Sequence, residues 1–328
     1  MQHTEIIGYP RLHFSLIDMA GSSERMYGGC GVSIKAFPVS VQVSPYKELL
    51  IETRGFVSER TKENLKAALK RAFEKNLPIN CRLRINSSVK QHIGLGSSTQ
   101  VILTALDAVS KHHCWNFSPE AIVDISGRGR TSLIGFATHY YGGFCIDAGQ
   151  KYIANSPFLP SHCPGQRKPS LYIGNWEFPY SWIISLVGID SPIAMETDKE
   201  SKFMQNNAPM ERIHGLEAIA ALYHGILPAI ITEDYASFQK SLEHISLFGW
   251  NMIEMKLQSE PTLNAIKEFW QSGIAATLSS FGPTIAVIHT TDMIHDVKDI
   301  ALRNQLSYSG PYHVIPKYKT EKFSSNIV

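Results

Sequence analysis

The feature that most constrains the fold is a loop rich in glycine and hydroxyl side chains that runs directly into an apolar segment. Residues 94–100 read GLGSSTQ, and residues 101–109 then place apolar side chains at helical spacing. The loop is therefore predicted to lie at the N-terminus of a helix, where N–H groups without helical partners and the helix dipole attract anions. Two glycines would let the backbone approach a ligand closely. The pattern is typical of a phosphate or pyrophosphate site.

This loop matches neither of the two common nucleotide-binding motifs. No Gly-Lys-Ser/Thr follows the glycines, which excludes a P-loop, and Thr99 stands where the dinucleotide fingerprint has its third glycine. A glycine turn that caps a core helix would explain the loop equally well. The rest of the chain has to decide between these interpretations.

Length and composition limit the classes of protein that this chain can belong to. The 328 residues are sufficient for two domains, and the net charge of +2 provides no broad basic surface for nucleic acid. No stretch approaches about 18 uninterrupted apolar residues, so no membrane span is expected. The five cysteines are scattered without a CxxC pair, which indicates a reducing compartment, and we expect the cytoplasm.

Apolar periodicity predicts the order of the structural elements. Residues 8–18 alternate apolar and polar side chains, which predicts a half-buried strand with a polar outer face, and residues 39–43 and 48–53 are predicted to extend the same meander. Residues 155–174 carry four prolines among small polar residues and are interpreted as a linker or long surface loop. We therefore predict two domains, residues 1–174 and 175–328.

Two further loops and the first strand carry polar residues suited to binding an anion. Arg11, His13 and Asp18 all lie in or directly after the first predicted strand. Residues 127–132 read GRGRTS and form a second glycine-rich, hydroxyl-bearing loop with two arginines. Residues 278–284 read LSSFGPT and precede a predicted strand.

Three of these segments, in this order, resemble the GHMP kinase superfamily. They are PRLHFSLID (10–18), GLGSSTQ (94–100) and SSFGPT (279–284), and the resemblance spans nearly the whole chain. It implies an α+β, two-domain GHMP kinase-like fold. The N-terminal domain would be like ribosomal protein S5 domain 2, and the C-terminal domain would be ferredoxin-like.

A closer resemblance is to the β-ribofuranosylaminobenzene 5'-phosphate synthases, a branch of this superfamily. It rests on these segments: RLHFSLID (11–18), GGCG (28–31), GLGSSTQ (94–100), GRGRTSLIG (127–135), GGFCIDAG (142–149) and SSFGPT (279–284). The resemblance implies a pentosyltransferase that joins phosphoribosyl pyrophosphate to 4-aminobenzoate or 4-hydroxybenzoate. Carbon dioxide and pyrophosphate are released, in a committed step toward methanopterin. It also implies small-molecule substrates, neither nucleic acid nor membrane as a partner, and a homodimer.

One position separates the synthases from the kinases. Aligning on Gly142 and Gly143 puts Gly135 where the kinases carry an aspartate base, and a kinase needs a group that deprotonates the accepting hydroxyl. This favours the synthase, while an ATP-dependent small-molecule kinase and a non-catalytic ligand-binding protein stay open as alternatives. The chain also departs from the synthase pattern at Ser98 and Arg130, where glycine is usual, and near Gln150, where a histidine is usual.

The resemblance assigns a role to each candidate site residue. Arg11 and His13 would neutralise or protonate the leaving group, and Asp18 would be a further catalytic residue and a ligand of a magnesium ion that bridges pyrophosphate oxygens. The residues expected to bind pyrophosphate are Gly94, Leu95, Gly96, Ser97, Ser98, Thr99 and Gln100. The residues expected to bind the other substrate groups are Arg128, Arg130, Thr131, Ser132, Ser279, Ser280 and Gly282.

Overall fold

The computed structural model describes residues 3–73, 80–161, 163, 168–192 and 197–318. Its strands are β1 (Thr4–Gly8), β2 (Arg11–Asp18), β3 (Arg25–Ser33), β4 (Val39–Pro45), β5 (Leu50–Gly55), β6 (Cys81–Ser87), β7 (Phe144–Asp147), β8 (Gln150–Lys151), β9 (Tyr172–Trp176), β10 (Ile183–Val187), β11 (Ala275–Leu278), β12 (Ile285–His289) and β13 (Tyr308–Tyr312). Its helices are α1 (Glu59–Phe73), α2 (Ser97–His112), α3 (Pro119–Ser126), α4 (Ile134–Tyr141), α5 (Thr197–Asn207), α6 (Arg212–Ala220), α7 (Leu227–Thr232), α8 (Tyr235–Phe248), α9 (Asn251–Met255), α10 (Glu260–Gln271) and α11 (Ile294–Arg303). A π-helical turn (Ala221–Ile226) joins α6 to α7, and a 3-10 turn (Thr291–Met293) precedes α11.

The N-terminal half contains two sheets. One has the order β1-β4-β6-β5, in which α1 connects the parallel pair β5 and β6, and the other has the order β2-β3-β7-β9 with β8 paired to β3. The predicted single meander is therefore wrong, because β4 and β5 lie in one sheet with β1 and β6, whereas β2 and β3 lie in the other sheet. The alternating Val39, Val41 and Val43 are completely buried, so one face of β4 is apolar and packs into the main core.

Strand β2 is buried along almost its whole length, so the predicted polar outer face is also wrong. Only Arg11 is not fully buried among its eight residues. Helix α4 of the N-terminal half and helices α6 and α8 of the C-terminal half all pack against it. The polar side chains His13, Ser15 and Asp18 are therefore enclosed and need hydrogen-bond partners within the protein.

The C-terminal sheet has the order β11-β12-β10-β13, and each neighbouring pair is antiparallel. Numbered from β10, the strands lie in the spatial order 4-1-3-2 of a ferredoxin-like domain, as predicted. Strand β13 is an edge strand and contains Pro311, whose missing N–H is tolerated at an edge.

The stretch predicted to be a linker belongs to the N-terminal half where the structure describes it. Strand β9 pairs with β7, and Phe158 is buried with 3% of its surface exposed. The predicted boundary between residues 174 and 175 falls inside β9, so the chain passes from one sheet to the other between β9 and β10. Division into two independently folding domains stays a prediction.

One helical stretch is long and apolar enough to cross a membrane by length and composition alone. It is Arg212–Thr232, with a mean hydropathy of 1.4. In the fold this stretch packs against β2 and α8, and Ala218, Leu222 and Ile226 are buried in the main core. A core helix of a large domain passes the same test.

Candidate active site

A cavity of about 250 Å³ lies where the glycine loop, β2, the start of α1 and the loop after β11 meet. Both halves of the chain contribute to its wall. The candidate residues that line it are Arg11, His13, Gly94, Gly96, Ser97, Ser98, Thr99, Arg128, Thr131, Ser132, Ser280 and Gly282. The three predicted loops therefore meet at one site.

The glycine loop ends at the N-terminus of α2, as the sequence predicts. Gly96 is the N-cap residue with φ +66°, and Gly94 has φ +87°. Both values lie in the region that L side chains rarely adopt. In addition, a Cβ at Gly94 would collide with the carbonyl oxygen of Ser279. The glycines thus allow the loop to turn and to pack against the C-terminal half.

Arg11 connects β2 to the glycine loop. Its Nη1 donates a 2.8 Å hydrogen bond to the Gly94 carbonyl oxygen, and its backbone N–H donates to Leu95. Burial lowers the pKa of Arg11 to about 10, while the carboxyl groups of Glu254 and Glu200 act in the opposite direction. The guanidinium is therefore a cation at neutral pH, beside the N-terminus of a helix.

A second buried cation and two carboxyl groups line the same cavity. Burial lowers the pKa of Arg128 to about 10. Burial also raises the pKa of Glu200 to about 7 and that of Glu254 to about 8, although Arg128 and Arg11 respectively oppose these shifts. The cavity therefore contains two buried guanidinium cations, with Arg60 also in its wall, and two carboxyl groups whose ionisation is opposed by burial.

His13 is held by a chain of hydrogen bonds that ends on a buried carboxylate. Its Nε2 lies 3.0 Å from the Ser132 Oγ, which donates a 3.0 Å hydrogen bond to Oδ2 of Asp147. Asp147 also accepts from the backbone N–H groups of Leu133 and Gly149, at 2.8 and 2.9 Å. Burial, with a smaller contribution from Arg11, lowers the pKa of His13 well below its usual value. The imidazole is consequently neutral, and it cannot neutralise a leaving group by its own charge.

Five of the predicted site residues do not line the cavity. Leu95 is a core residue, Gln100 donates from Nε2 to the Gly135 carbonyl oxygen, and Ser279 donates from Oγ to Gly94. These residues therefore stabilise the loop and the start of α2 without facing the cavity. Arg130 donates from Nη1 to the Gly127 carbonyl oxygen instead of entering the cavity.

Asp18 is the fifth: its carboxylate does not line the cavity, and its catalytic and metal-binding role stays a prediction. At about 3.3 Å per residue, it lies roughly 20 Å along β2 from Arg11. Its carboxylate accepts hydrogen bonds from the N–H groups of Ala20 and Ser22, at 2.9 to 3.0 Å, and from the hydroxyl of Ser22. It therefore stabilises the turn that follows β2.

The three departures from the synthase pattern do not share one location. Ser98 lines the cavity and exchanges hydrogen bonds with Thr61 and Gln91. Arg130 and Gln150 lie outside the lining, where the Gln150 amide donates to the Arg130 carbonyl oxygen. Only Ser98 is placed to affect a bound ligand directly.

Sequence reasoning missed the two cavity carboxyl groups and the start of α1. Glu254 is the one charged residue of the segment 250–255, which reads WNMIEM, and this was a usable signal. Glu200 and Arg60 sit in polar helical stretches with nothing to distinguish them. Among the described residues, no group of three or more His, Cys, Asp or Glu side chains is arranged to hold a metal ion. Glu200 and Glu254 nevertheless suit magnesium on a phosphate ligand, which needs only one or two carboxylates.

Gly135, which the sequence alignment on Gly142 and Gly143 predicts to replace the kinase base, lies on the cavity wall. A Cβ there would lie 3.1 Å from the Thr99 methyl carbon and 3.9 Å from the Arg11 Cγ. The contact with Thr99 is tight, so a Cβ at this position requires the Thr99 side chain to shift slightly, whereas the distance to Arg11 is an ordinary van der Waals contact.

Comparisons with known proteins agree with the observed fold. The family of GHMP kinases N terminal domains matches residues 62–143. Among solved structures, phosphomevalonate kinase of Streptococcus pneumoniae aligns with a TM-score of 0.72 at 10% identity, over 96% of this chain and 100% of that one. Mevalonate diphosphate decarboxylase of Staphylococcus aureus aligns with a TM-score of 0.68 at 11% identity, over 96% of each chain. These likenesses define a GHMP kinase-like fold, as predicted.

Curated relatives are more specific. The β-ribofuranosylphenol 5'-phosphate synthase of Methanothermobacter thermautotrophicus is 31% identical over 301 residues, which are 88% of each chain. The protein of the same name from Archaeoglobus fulgidus is 28% identical over 278 residues, or 85% of each chain. The chain belongs to the β-ribofuranosylphenol 5'-phosphate synthase family, which confirms the predicted resemblance.

Proposed function

We propose that this protein transfers the phosphoribosyl group of phosphoribosyl pyrophosphate to 4-hydroxybenzoate, with loss of carbon dioxide and pyrophosphate. The sequence left 4-aminobenzoate and 4-hydroxybenzoate as acceptors. The relatives are named for a phenol product, which favours 4-hydroxybenzoate. The observation that carries the proposal is a single cavity that combines a helix N-terminus, Arg11 and Arg128 with glycine at position 135.

The reaction requires the ribose C1 bond to the pyrophosphate oxygen to break, with both electrons leaving on that oxygen. The α2 N-terminus and Arg11 are positioned to stabilise this departing charge, which is the main electrostatic demand of the step. The arene carbon that bears the carboxylate then forms a bond to ribose C1. Cleavage of its bond to the carboxylate returns the electron pair to the ring.

The remaining substrate groups match other parts of the wall. Arg128 offers a guanidinium fork for the 5'-phosphate. Leu16, Met204 and Phe281 belong to one apolar cluster and face the cavity. They supply the surface on which the benzoate ring would lie.

Magnesium is part of the proposal. Glu200 and Glu254 are the carboxyl groups that would hold it against the pyrophosphate, in place of Asp18. When bound, the ion would add positive charge at the leaving oxygens. The electrostatic balance supports this, because two carboxyl groups facing an anionic substrate need a cation or protons to offset them.

A cytoplasmic location and a homodimer are also proposed. All five cysteines are free thiols, and Cys30, Cys81 and Cys145 are buried, as expected in a reducing compartment. The homodimer rests on the family resemblance and is tested by sedimentation analysis of the purified chain.

The decisive experiment is release of carbon dioxide from carboxyl-labelled 4-hydroxybenzoate in the presence of phosphoribosyl pyrophosphate and magnesium. A parallel reaction contains 4-aminobenzoate. We expect release that requires both substrates and is faster with the hydroxy acid. Binding of ATP without any release would contradict the synthase and favour the kinase alternative.

A further inference from the structure

The hydrogen-bond chain that holds His13 has a definite direction. Burial raises the pKa of Asp147 to about 7, while the hydrogen bonds from Gly149, Leu133 and Ser132 oppose that shift. Near pH 8 the group is therefore a carboxylate, and both its oxygens are acceptors. The Ser132 hydroxyl has one proton, and it donates that proton to Asp147. The Ser132 oxygen can then only accept from His13, so the proton of the neutral ring lies on Nε2.

This arrangement differs from a serine nucleophile activated by histidine, because the serine lies in the middle of the chain. Ser132 is committed to Asp147, and its oxygen also accepts from the Ile134 N–H at 3.3 Å. The ring nitrogen that remains as an acceptor is Nδ1. His13 forms part of the cavity wall, so its ring borders the space that a ligand would occupy.

The backbone of β3 is adapted to this chain. A Cβ at Gly29 would lie 2.6 Å from both the His13 Nε2 and the Ser132 Oγ. Gly29 has an ordinary φ, so the glycine is needed for space and not for a special backbone conformation. Any larger residue would push His13 and Ser132 apart.

His13 also lies next to the apolar wall of the cavity. Its carbonyl oxygen accepts from the Ser280 N–H at 3.2 Å, and its own N–H donates to the Ser279 Oγ at 3.1 Å. The following residue, Phe281, is one of the three apolar residues assigned above to the benzoate ring. His13 and Phe281 therefore line the same cavity from segments that are hydrogen-bonded to each other. A benzoate ring lying on Phe281 would have His13 as a neighbour.

We propose that His13 is the general base that accepts the proton of the acceptor's 4-hydroxyl group at Nδ1, and that Ser132 and Asp147 are positioning residues that keep Nδ1 unprotonated. This inference rests on the proposed function. It gives His13 a role that differs from that of a kinase base, because the attacking atom is a carbon and the proton comes from the opposite end of the ring.

The step balances without another reactant. As the arene carbon bonds to ribose C1, the 4-hydroxyl becomes the protonated oxygen of a dienone and passes its proton to Nδ1. Loss of carbon dioxide returns the electron pair to the ring as a phenolate, which takes the proton back from His13. A protonated dienone is a strong acid, so the weakly basic, neutral imidazole is sufficient.

The test compares two acceptors that differ in the acidity of the phenol. Turnover of wild type and His13→Gln is measured at about pH 8, where an ordinary phenol with a pKa near 10 is protonated. One acceptor is 4-hydroxybenzoate and the other is 3,5-difluoro-4-hydroxybenzoate, whose phenol is largely ionised at this pH. Glutamine keeps an N–H donor for Ser132, and binding of phosphoribosyl pyrophosphate reports that the variant is folded.

We expect His13→Gln to lower kcat with 4-hydroxybenzoate by about 100-fold or more, a typical general-base contribution, and to lower it by less than about tenfold with the difluoro acid. Ser132→Ala should show a smaller loss with the same recovery. The matched control is His289→Gln, which removes a buried histidine of the C-terminal sheet and should affect both acceptors equally.

Equal losses with the two acceptors in His13→Gln would overturn the inference while leaving the proposed function intact. Absence of carbon dioxide release by the wild type would overturn the proposed function, and this inference with it. The two failures are distinguished by the wild-type reaction alone.

Discussion

The guanidinium of Arg11 and the carbonyl oxygen of Gly94 are joined by a 2.8 Å hydrogen bond. This bond fixes a cation of the buried strand β2 beside the loop that opens α2. It explains why the first strand and the glycine loop belong to one site although 83 residues separate them.

Arg11→Ala should weaken binding of phosphoribosyl pyrophosphate by about 10- to 100-fold, because a hydrogen bond to a charged group contributes about 1.5–3 kcal/mol. Arg11→Lys should lose less, since it keeps the charge but not the planar fork. Titration calorimetry measures both affinities. Arg84→Ala, which removes a surface arginine paired with Glu52, is the control. Wild-type affinity in Arg11→Ala would contradict the role of this strand.

Gly94→Ala should destabilise the protein more than Gly273→Ala does. Both glycines have positive φ, at +87° and +69°, but a Cβ at Gly273 meets nothing within 4 Å, whereas one at Gly94 meets the Ser279 carbonyl. The control isolates the conformational cost of about 1–2 kcal/mol. We expect Gly94→Ala to lower the free energy of unfolding by about 2–4 kcal/mol. Denaturant titration checks this, and equal losses would show that the contact is unimportant.

Glu254→Gln should stabilise the ligand-free protein at high pH but not at low pH. Burial raises the pKa of Glu254 to about 8 from a usual 4.5, so the wild type loses stability as the pH rises from about 4.5 through about 8. The glutamine side chain resembles the protonated acid and does not ionise. We expect its Tm to exceed that of wild type by several degrees near pH 9 and by little near pH 5. A difference that does not depend on pH would refute the assigned ionisation.

Gly135→Asp should not convert the protein into a kinase. The first carbon of the new side chain would lie 3.1 Å from the Thr99 methyl carbon, so the Thr99 side chain at the start of α2 must shift to make room. We expect affinity for phosphoribosyl pyrophosphate to fall by at least about tenfold, with no ATP-dependent phosphorylation of an added alcohol. Appearance of such phosphorylation would show that the missing carboxylate alone separates the two activities.

Asp18→Ala should lower stability without changing turnover per folded molecule. The substitution removes the hydrogen bonds that Asp18 accepts from Ala20 and Ser22, at an expected cost of about 2–3 kcal/mol. The magnesium concentration for half-maximal activity should stay at the wild-type value. A raised magnesium requirement would return Asp18 to the role predicted from sequence.

Local patterns predicted those parts of the site that depend on the neighbours of a residue in the chain. A helix starting at Ser97, preceded by glycines, follows from apolar periodicity and from backbone freedom at Gly94 and Gly96. The ferredoxin-like order of the C-terminal sheet was available from the resemblance. The alternation in residues 11–18 correctly predicted a strand, but it did not predict that both faces of the strand are buried. The burial arises because helices from both halves of the chain pack against the strand.

The sequence by itself determined most of the elements, the glycine loop at the start of α2 and the family, since these depend on side-chain periodicity, glycine positions and short motifs. Only the tertiary structure decided which polar residues face the cavity. In the folded chain Glu200 and Glu254 line the cavity, whereas Asp18 and Arg130 do not. The tertiary structure also joined His13 to Asp147 through Ser132. The physical reason is that burial and hydrogen bonding between residues more than a hundred positions apart are set by the packing of both halves, which no local pattern encodes.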